Sequence, residues 1–448
     1  MKKLEKLKKI TALLKNHGFD EIKWYISHKK QSQINLKYDT ITEERCSNDW
    51  MYMLEVGYEG KRGCVYLSQP EVTEKMIEEM KEAALLWGRE FIPLELEQKE
   101  CITSFHDHWE KEEGKERILR KLQEACQSAK QVDESIRISK CSYETVEEGI
   151  YLLDDQMEGF HETTGYHCFQ TGIIAENEIG RDISSGCQYG ADLESMDFVH
   201  CIREAAFYAI DRIGGEPIPS GSYPVILHGT VMAELLEAYL SSFYGRNILD
   251  KRSAICEKTG CQIAADSIIL VEDPVYEGGR STRTLDDEGV PVQMKYLIKD
   301  GIFTSALWNQ QSAKEVGKRS TGNGFRGSVR SDVTTGVTNI ILTSGPTAKM
   351  ELTDMIKKVE NGLFVTGVDG IFAGANTETG AFSLIAKGRV IRDGKEEEPF
   401  CEVTIAGNFF DMLMHMTMMA MDEICTEPCN ASVAASSVFV GNLTISGR

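Results

Sequence analysis

The chain has no uninterrupted apolar run approaching the roughly 18 residues that a membrane-crossing helix needs, which excludes a helical membrane span. It has no C-x-x-C motif. Its 13 cysteines are scattered, and the closest pairs are Cys256 with Cys261 and Cys425 with Cys429, which is not zinc-ribbon spacing. Most are expected to be reduced thiols acting as small apolar side chains. There is no G-x-S-x-G, no thiol in a recognisable catalytic setting and no glycine-rich loop ending in Gly-Lys-Ser/Thr, so serine hydrolase, cysteine hydrolase and P-loop chemistry have no foothold. Positive charge is also short, with Lys+Arg 49 against Asp+Glu 70 and a net charge of -21. Such a surface is repelled by phosphate backbones and anionic lipid, which argues against direct contact with nucleic acid or membrane. The one basic stretch is Met1–Lys15, where six lysines surround Leu4, Leu7, Ile10, Leu13 and Leu14. It lacks the apolar core and cleavage site of a signal peptide and is expected to be a surface helix in a cytoplasmic protein.

At 448 residues there is material for two or three domains. The pattern predicts an α+β protein, with an N-terminal domain of antiparallel sheet and helices over 1–213 and a β-rich domain of sandwich or barrel type over 214–448. In the first part, strand-like runs at Ile22–Ser27, Gln33–Tyr38, Trp50–Tyr58 and Gly63–Ser68 suggest a four-stranded meander covered by helices on one face. The order of helix, strands, helix returns between 109 and 213, which suggests an internal duplication. Gly214–Gly221, with Pro217 and Pro219, reads as the boundary.

The most informative stretch is His228–Phe243, a helix expected to follow an apolar strand at Tyr223–Leu227. Val231, Leu235 and Tyr239 form a stripe, widened by Met232, Leu236, Leu240 and Phe243, so the helix should be buried, and Gly245 is placed to stop it. His228 at its mouth invites a metal reading that its neighbours do not support. Gly229 has no side chain, Ala233 cannot bind metal, and Glu234 and Glu237 do not share the histidine's helix face. One imidazole does not hold a catalytic metal, so His228 is expected to be a polar residue at a helix entrance.

Further on, Asp273-Pro274 and Gly278-Gly279 precede Leu285-Asp286-Asp287-Glu288-Gly289-Val290-Pro291, then Ser320-Thr321-Gly322-Asn323-Gly324-Phe325-Arg326. Thr379-Gly380-Ala381-Phe382-Ser383 and Val403-Thr404-Ile405-Ala406-Gly407-Asn408 complete the series. In this order over some 200 residues these motifs resemble the TldD/PmbA family, once called modulators of DNA gyrase. The resemblance implies a two-subunit system, in which a TldD-type metalloprotease works with a TldE (PmbA) sister lacking the metal site. TldD-type chains carry His-Glu-x-x-x-His in the helix just described and a cysteine ligand near the C-terminus. Here the first histidine matches His228, but Gly229 and Ala233 occupy the glutamate and second-histidine positions. Cys425 and Cys429 lack the Gly-x-Cys-Gly setting of the protease ligand. The sequence therefore resembles the PmbA/TldE branch.

That branch implies a non-catalytic or regulatory subunit with no cofactor of its own, zinc being expected only in a TldD-like partner. It also implies a homodimer or a heterodimer with that partner, and a peptide substrate. Two alternatives stay open: a divergent metallopeptidase using His228 with Glu234 or Glu237 and a C-terminal cysteine, and a modulator that binds DNA gyrase. Asp286, Asp287 and Glu288 could clamp a divalent cation, act as an acid/base pair, line a cleft or subunit contact, or simply form a solvated turn. Thr321, Asn323 and Arg326 are candidates for the same cleft or contact. Arg326 is suited to two-point binding of a peptide or partner carboxylate, although the segment also reads as a plain turn. The methionines around His415 between Asp411 and Met421 could bind Cu(I), but methionine more often fills irregular cores.

Overall fold

The computed structural model describes residues 2–37, 40–94, 96, 100–101, 114–276, 278–426 and 431–448. The protein is α+β. Its first part comprises α1 (Lys2–Asn16), β1 (Glu21–Lys37), β2 (Thr40–Tyr58), β3 (Lys61–Leu67), α2 (Glu74–Trp87), β4 (Glu100–Cys101), α3 (Lys115–Lys130), β5 (Ile136–Leu153), β6 (Glu158–Glu176), β7 (Arg181–Gly190) and α4 (Phe198–Asp211). One seven-stranded sheet runs β3-β2-β1-β5-β6-β4, with β7 also on β6.

The two strand-like runs expected at 22–27 and 33–38 are one strand of 17 residues. The polar residues between them do not interrupt it, because the β1 backbone is laddered to β2 on one side and β5 on the other throughout Trp24–Leu36. Side-chain polarity there sets only which groups face water, and Gln31 reaches across to the Glu144 carboxylate. The first meander thus has three strands, and the β1–β5 pairing joins it to the second within a single sheet. Alternation fixes one apolar face. Ile22, Trp24 and Ile26 pack with Leu7, Leu14 and Ile77 of α1 and α2, while Tyr143, Phe169 and Ile173 pack with Leu122 of α3 and Ile202 of α4. The other face, with Tyr25, Met53, Ile150 and Leu152, meets Leu94 and Val329.

Among the described residues from 221 onward there are two larger sheets and a hairpin. The elements are β8 (Gly221–Leu227), α5 (Gly229–Leu240), α6 (Gly245–Leu249), β9 (Ile268–Glu272), β10 (Lys295–Lys299), β11 (Ile302–Phe303), α7 (Gln310–Glu315), β12 (Gly324–Arg326), β13 (Val333–Thr335) and β14 (Asn339–Ser344). They continue as β15 (Lys349–Met350), α8 (Leu352–Val359), β16 (Gly362–Asp369), α9 (Ile371–Gly374), β17 (Ala381–Arg392), β18 (Lys395–Asn408), α10 (Phe409–Met414), β19 (Met418–Ala420), β20 (Ile424–Thr426), β21 (Ser432–Ala435) and β22 (Val438–Ser446). One sheet is ordered β11-β10-β9-β14-β21-β20, the other β15-β19-β22-β18-β17-β16-β8, and β12 pairs with β13.

Helix α5 is common to both cores. Its Val231, Leu235, Leu236 and Tyr239 share one apolar cluster with Leu270 and Leu342 of the first sheet and Val225, Val365 and Ile405 of the second. It ends at Leu240, with Phe243 of the predicted stripe in a following 3-10 turn (Ser241–Phe243), and Gly245 does not stop it but opens α6. A Cβ on Gly245 would lie 2.1 Å from the Trp308 ring, so glycine there serves close packing rather than helix termination. Met412, Met416 and Met419 are buried, and His415 Nδ1 lies 2.7 Å from the Asp411 carbonyl oxygen.

Candidate functional site

Strand β8 lies between β16, parallel to it, and β22, antiparallel, and this places His228 at the entrance of α5. The His228 amide donates to Val365 O at 3.0 Å, extending the ladder by one residue. The side chain then caps the helix: Nδ1 accepts from the Thr230 amide at 3.3 Å and lies 2.8 Å from Thr230 Oγ1. An accepting Nδ1 fixes the neutral tautomer with hydrogen on Nε2, which donates to Tyr208 Oη at 3.1 Å. His228 is 4% exposed, and burial pushes its pKa down to about 4, the Asp422 carboxylate opposing only in part. It is a neutral helix cap at physiological pH.

The two positions expected to lack ligands are closed as well as empty of donors. A Cβ on Gly229 would sit 2.8 Å from the Ala435 carbonyl oxygen, a backbone atom of β21, and Ala233 is fully buried. Among the described residues no group of three His, Cys, Asp or Glu side chains could hold a metal ion. Cys425 lies on β20 with Sγ 3.6 Å from Ser432 Oγ, and Cys429 lies outside the described residues. The described residues around His228 do not fit a three-ligand zinc site. Gly229→Glu is expected to lower stability by about 1–3 kcal/mol through overpacking against β21, as read from the urea midpoint. Unchanged stability would show that this backbone yields readily.

Two cavities flank α5. One of about 600 Å³ is lined by His228, Thr230 and Glu234 from α5, Tyr208 and Arg212 from the α4 end, and Cys187 and Tyr189 from β7. Burial, with Asp369 and Glu237 adding negative potential, pushes Glu234 up to about 7. The other cavity, about 1070 Å³, lies between the first sheet and the second part of the chain. Tyr25, Trp50, Tyr166, Arg280, Arg283 and Glu237 are among its lining residues. Glu234 and Glu237 therefore look into different cavities, and Glu237 is engaged by the Ala431 amide at 3.0 Å.

Asp286, Asp287, Glu288 and Arg326 come together, away from His228, where the 286–290 turn meets the β12–β13 hairpin. Asp286 accepts the amides of Glu288 (3.0 Å), Val290 (2.8 Å) and Gly324 (2.8 Å). Burial and the nearby Glu288 raise its pKa to about 7 against those hydrogen bonds. Asp287 holds the Arg283 guanidinium at 2.8 Å and accepts the Arg326 amide at 2.8 Å. Glu288 accepts the Gln310 amide at 2.7 Å and is also raised by burial. The three carboxylates thus bind chain segments to one another. Thr321 and Asn323 belong to an adjoining buried network. Asn323 Nδ2 donates to both oxygens of Glu272 at 3.0 Å, its Oδ1 accepts from Lys295 at 3.0 Å and Thr321 at 2.7 Å, and Lys295 pairs with Glu272 at 2.8 Å.

Arg326 is only 2% exposed at its side chain. It donates to Ser331 O at 2.6 Å and to Glu55 Oε1 at 2.9 Å, with its guanidinium over the Tyr25 ring. Its carboxylate is therefore an internal one on β2, shared with Lys23 and Arg62 at 2.7 Å each. Burial favours the neutral acid, yet the three cations hold the Glu55 pKa down at about 2. Sequence reasoning did not single out Glu55 or Tyr208. A lone acid between Leu54 and Val56 in an apolar strand was the available sign for Glu55.

An α+β chain whose second part wraps one buried helix, with a histidine capping that helix, defines the class. Residues 220–447 match the model of the PmbA/TldA metallopeptidase C-terminal domain, half of the chain, and the protein belongs to the PmbA/TldD family. The Metalloprotease PmbA of Escherichia coli O157:H7 is 26% identical over 285 residues, 63% of this chain and 59% of that protein. The Metalloprotease TldD homolog of Buchnera aphidicola subsp. Acyrthosiphon pisum is 26% identical over 262 residues, 55% and 53% of the two chains. The matches thus span little more than half the length of these relatives. Among solved structures, TldE from Thermococcus kodakarensis superposes with a TM-score of 0.86 at 20% identity, over 99% of this chain and 100% of that one. A proposed modulator of a DNA gyrase from Thermotoga maritima gives 0.85 at 24% identity, with the same coverage. At these identities the likeness is one of fold. Relatives named for both branches match equally well, so the branch rests on the residues at 228, 229 and 233.

Proposed function

We propose that this chain is the non-catalytic, TldE/PmbA-like member of a metalloprotease pair that acts in peptide proteolysis. The observation that carries the reading is the start of α5, where a capped, neutral His228 is followed by Gly229 pressed on Ala435 and by a buried Ala233. A zinc-bound water at this place would have no glutamate to take its proton, a loss of roughly 10²- to 10⁴-fold, and too few ligands to keep the metal. Zinc then belongs to a TldD-like partner, with which this chain forms a heterodimer, or it forms a homodimer when alone. The cavity of about 1070 Å³ is large enough for an extended peptide, and its mixture of Tyr, Trp, Arg and Glu suits main-chain and side-chain contacts of several kinds. The domains are taken to divide at 213/214, since strands before residue 214 and those after it form separate sheets. Among the described residues no helix is long and apolar enough to cross a membrane, which is consistent with a cytoplasmic location.

Co-expression with a His-Glu-x-x-x-His-bearing homologue tests the pairing. The expected result is a co-purifying complex that cleaves unfolded peptides faster than the homologue alone, and no complex with no change in rate contradicts it. One observation favours a second reading, a divergent metallopeptidase. Glu234, with its raised pKa, shares a cavity with His228. Zinc bound by the isolated chain and lost in His228→Asn would support that reading over the first.

A further inference from the structure

Cys168 on β6 and Cys187 on β7 have their sulfurs 3.7 Å apart. The register pairs Cys168 with Tyr189 and Gln170 with Cys187, so the two thiols are diagonal neighbours on the same face of the sheet. Cys168 is 2% exposed, whereas Cys187 is half-buried and lines the cavity of about 600 Å³ that also contains His228. Strand β7 pairs only with β6 among the described residues, and Arg212 ties it to the second part of the chain, donating to Ile183 O at 3.2 Å and Thr366 O at 3.3 Å.

We propose that Cys168 and Cys187 are a dithiol that peroxide converts to a disulfide, fixing β7 as one wall of the His228 cavity. The order of events follows from access. The Cys187 thiolate attacks one peroxide oxygen, the O–O bond breaks, hydroxide leaves to become water, and Cys187 is left as a sulfenic acid. The Cys168 sulfur, losing its proton, then attacks the Cys187 sulfur and expels a second water. Two thiols are oxidised by two electrons as one peroxide is reduced to two waters. The contact with Cys187 and burial raise the Cys168 pKa well above that of an ordinary thiol, which makes it the poorer first nucleophile, and its part in the second step rests on its sulfur lying 3.7 Å from that of Cys187. Closing the bond moves the sulfurs together by about 1.7 Å, and a diagonal pair needs some backbone shift to do so. An edge strand laddered on one side can supply that shift. Cys201 lies on the other side of β7, where a Cβ on Gly186 would approach its sulfur to 2.9 Å, and burial raises its pKa to about 12.

The test uses the full chain with the exposed Cys46 and Cys261 changed to serine, treated with equimolar hydrogen peroxide while folded, then alkylated and mapped by mass spectrometry. The expected product is a peptide linking Cys168 to Cys187, absent in Cys187→Ser. In Cys168→Ser, Cys187 is expected to accumulate as a sulfenic acid that dimedone traps. A link from Cys187 to Cys201, or both thiols still alkylatable after other cysteines have oxidised, overturns the proposal. Equal dimedone labelling of Cys187 with and without Cys168 overturns it as well.

Discussion

Glu55→Gln is expected to destabilise the protein by about 3–5 kcal/mol, the cost of removing one partner from a buried ionic cluster. Lys23, Arg62 and Arg326 all converge on this carboxylate within 2.9 Å, and Arg326 is almost wholly shielded from water. Glutamine keeps the shape but leaves three cations facing one another without a counter-charge. The comparison variant is Arg62→Gln. Arg62 is 21% exposed and also pairs with Asp332 at 3.0 Å, and its loss leaves Glu55 with two cations, so an effect of about 1 kcal/mol is expected. Urea denaturation of the two variants separates them. Equal, small shifts in midpoint would mean that solvent reaches the cluster and that it is no anchor between the first sheet and the β12–β13 hairpin.

The second large effect is on acid stability and is carried by His228. Its pKa is about 4 in the fold and near 6.5 in the unfolded chain, so folding disfavours its protonation. The contribution is whole above pH 6.5, declines as pH falls toward 4 and is lost below it, roughly 3 kcal/mol in all. Glu55 acts with the same sign at lower pH, its contribution being whole above its unfolded value near 4.5 and lost as pH falls through about 2. Asp286 and Glu234 act oppositely, because both are raised to about 7 and their neutral forms favour the fold as pH drops below that. The net pH curve mixes these signs, so the informative quantity is a difference. His228→Asn keeps a capping side chain but cannot titrate. The stability gap between wild type and this variant, measured in urea at pH 7.5, 5.5 and 4.5, is expected to shift in favour of the variant by about 2 kcal/mol or more from first to last. A constant gap would place His228 in water.

Much of this was legible in the residues themselves. The buried stripe of α5 is a periodicity, a histidine directly before it reads as a polar residue at a helix entrance, and the alternation of the first strands places one face under helices. The sequence was weaker where a contact joins distant parts. Arg326 looks like a free anion receptor because its partner, Glu55, lies 271 residues away on another sheet. Asp286, Asp287 and Glu288 look like a solvated or cation-binding turn because the Gln310, Gly324 and Arg326 amides that engage them come from segments 22 to 39 residues further along the chain, although Arg283 is only four residues from Asp287. Gly245 looked like a helix stop because nothing local announces the Trp308 ring against it. The polar middle of β1 looked like a turn, since side-chain pattern does not record a backbone laddered on both sides.

The proposed non-catalytic role rests on the start of α5, where Gly229 is pressed against the Ala435 carbonyl and Ala233 is buried. The direct measurement is zinc content and peptide cleavage of the isolated chain, purified without chelator and supplied with excess zinc before desalting. Zinc well below one per chain and no cleavage are predicted, with activity appearing only on addition of a His-Glu-x-x-x-His-bearing homologue. One zinc per chain, held through desalting and accompanied by unaided cleavage that His228→Asn abolishes, would contradict it.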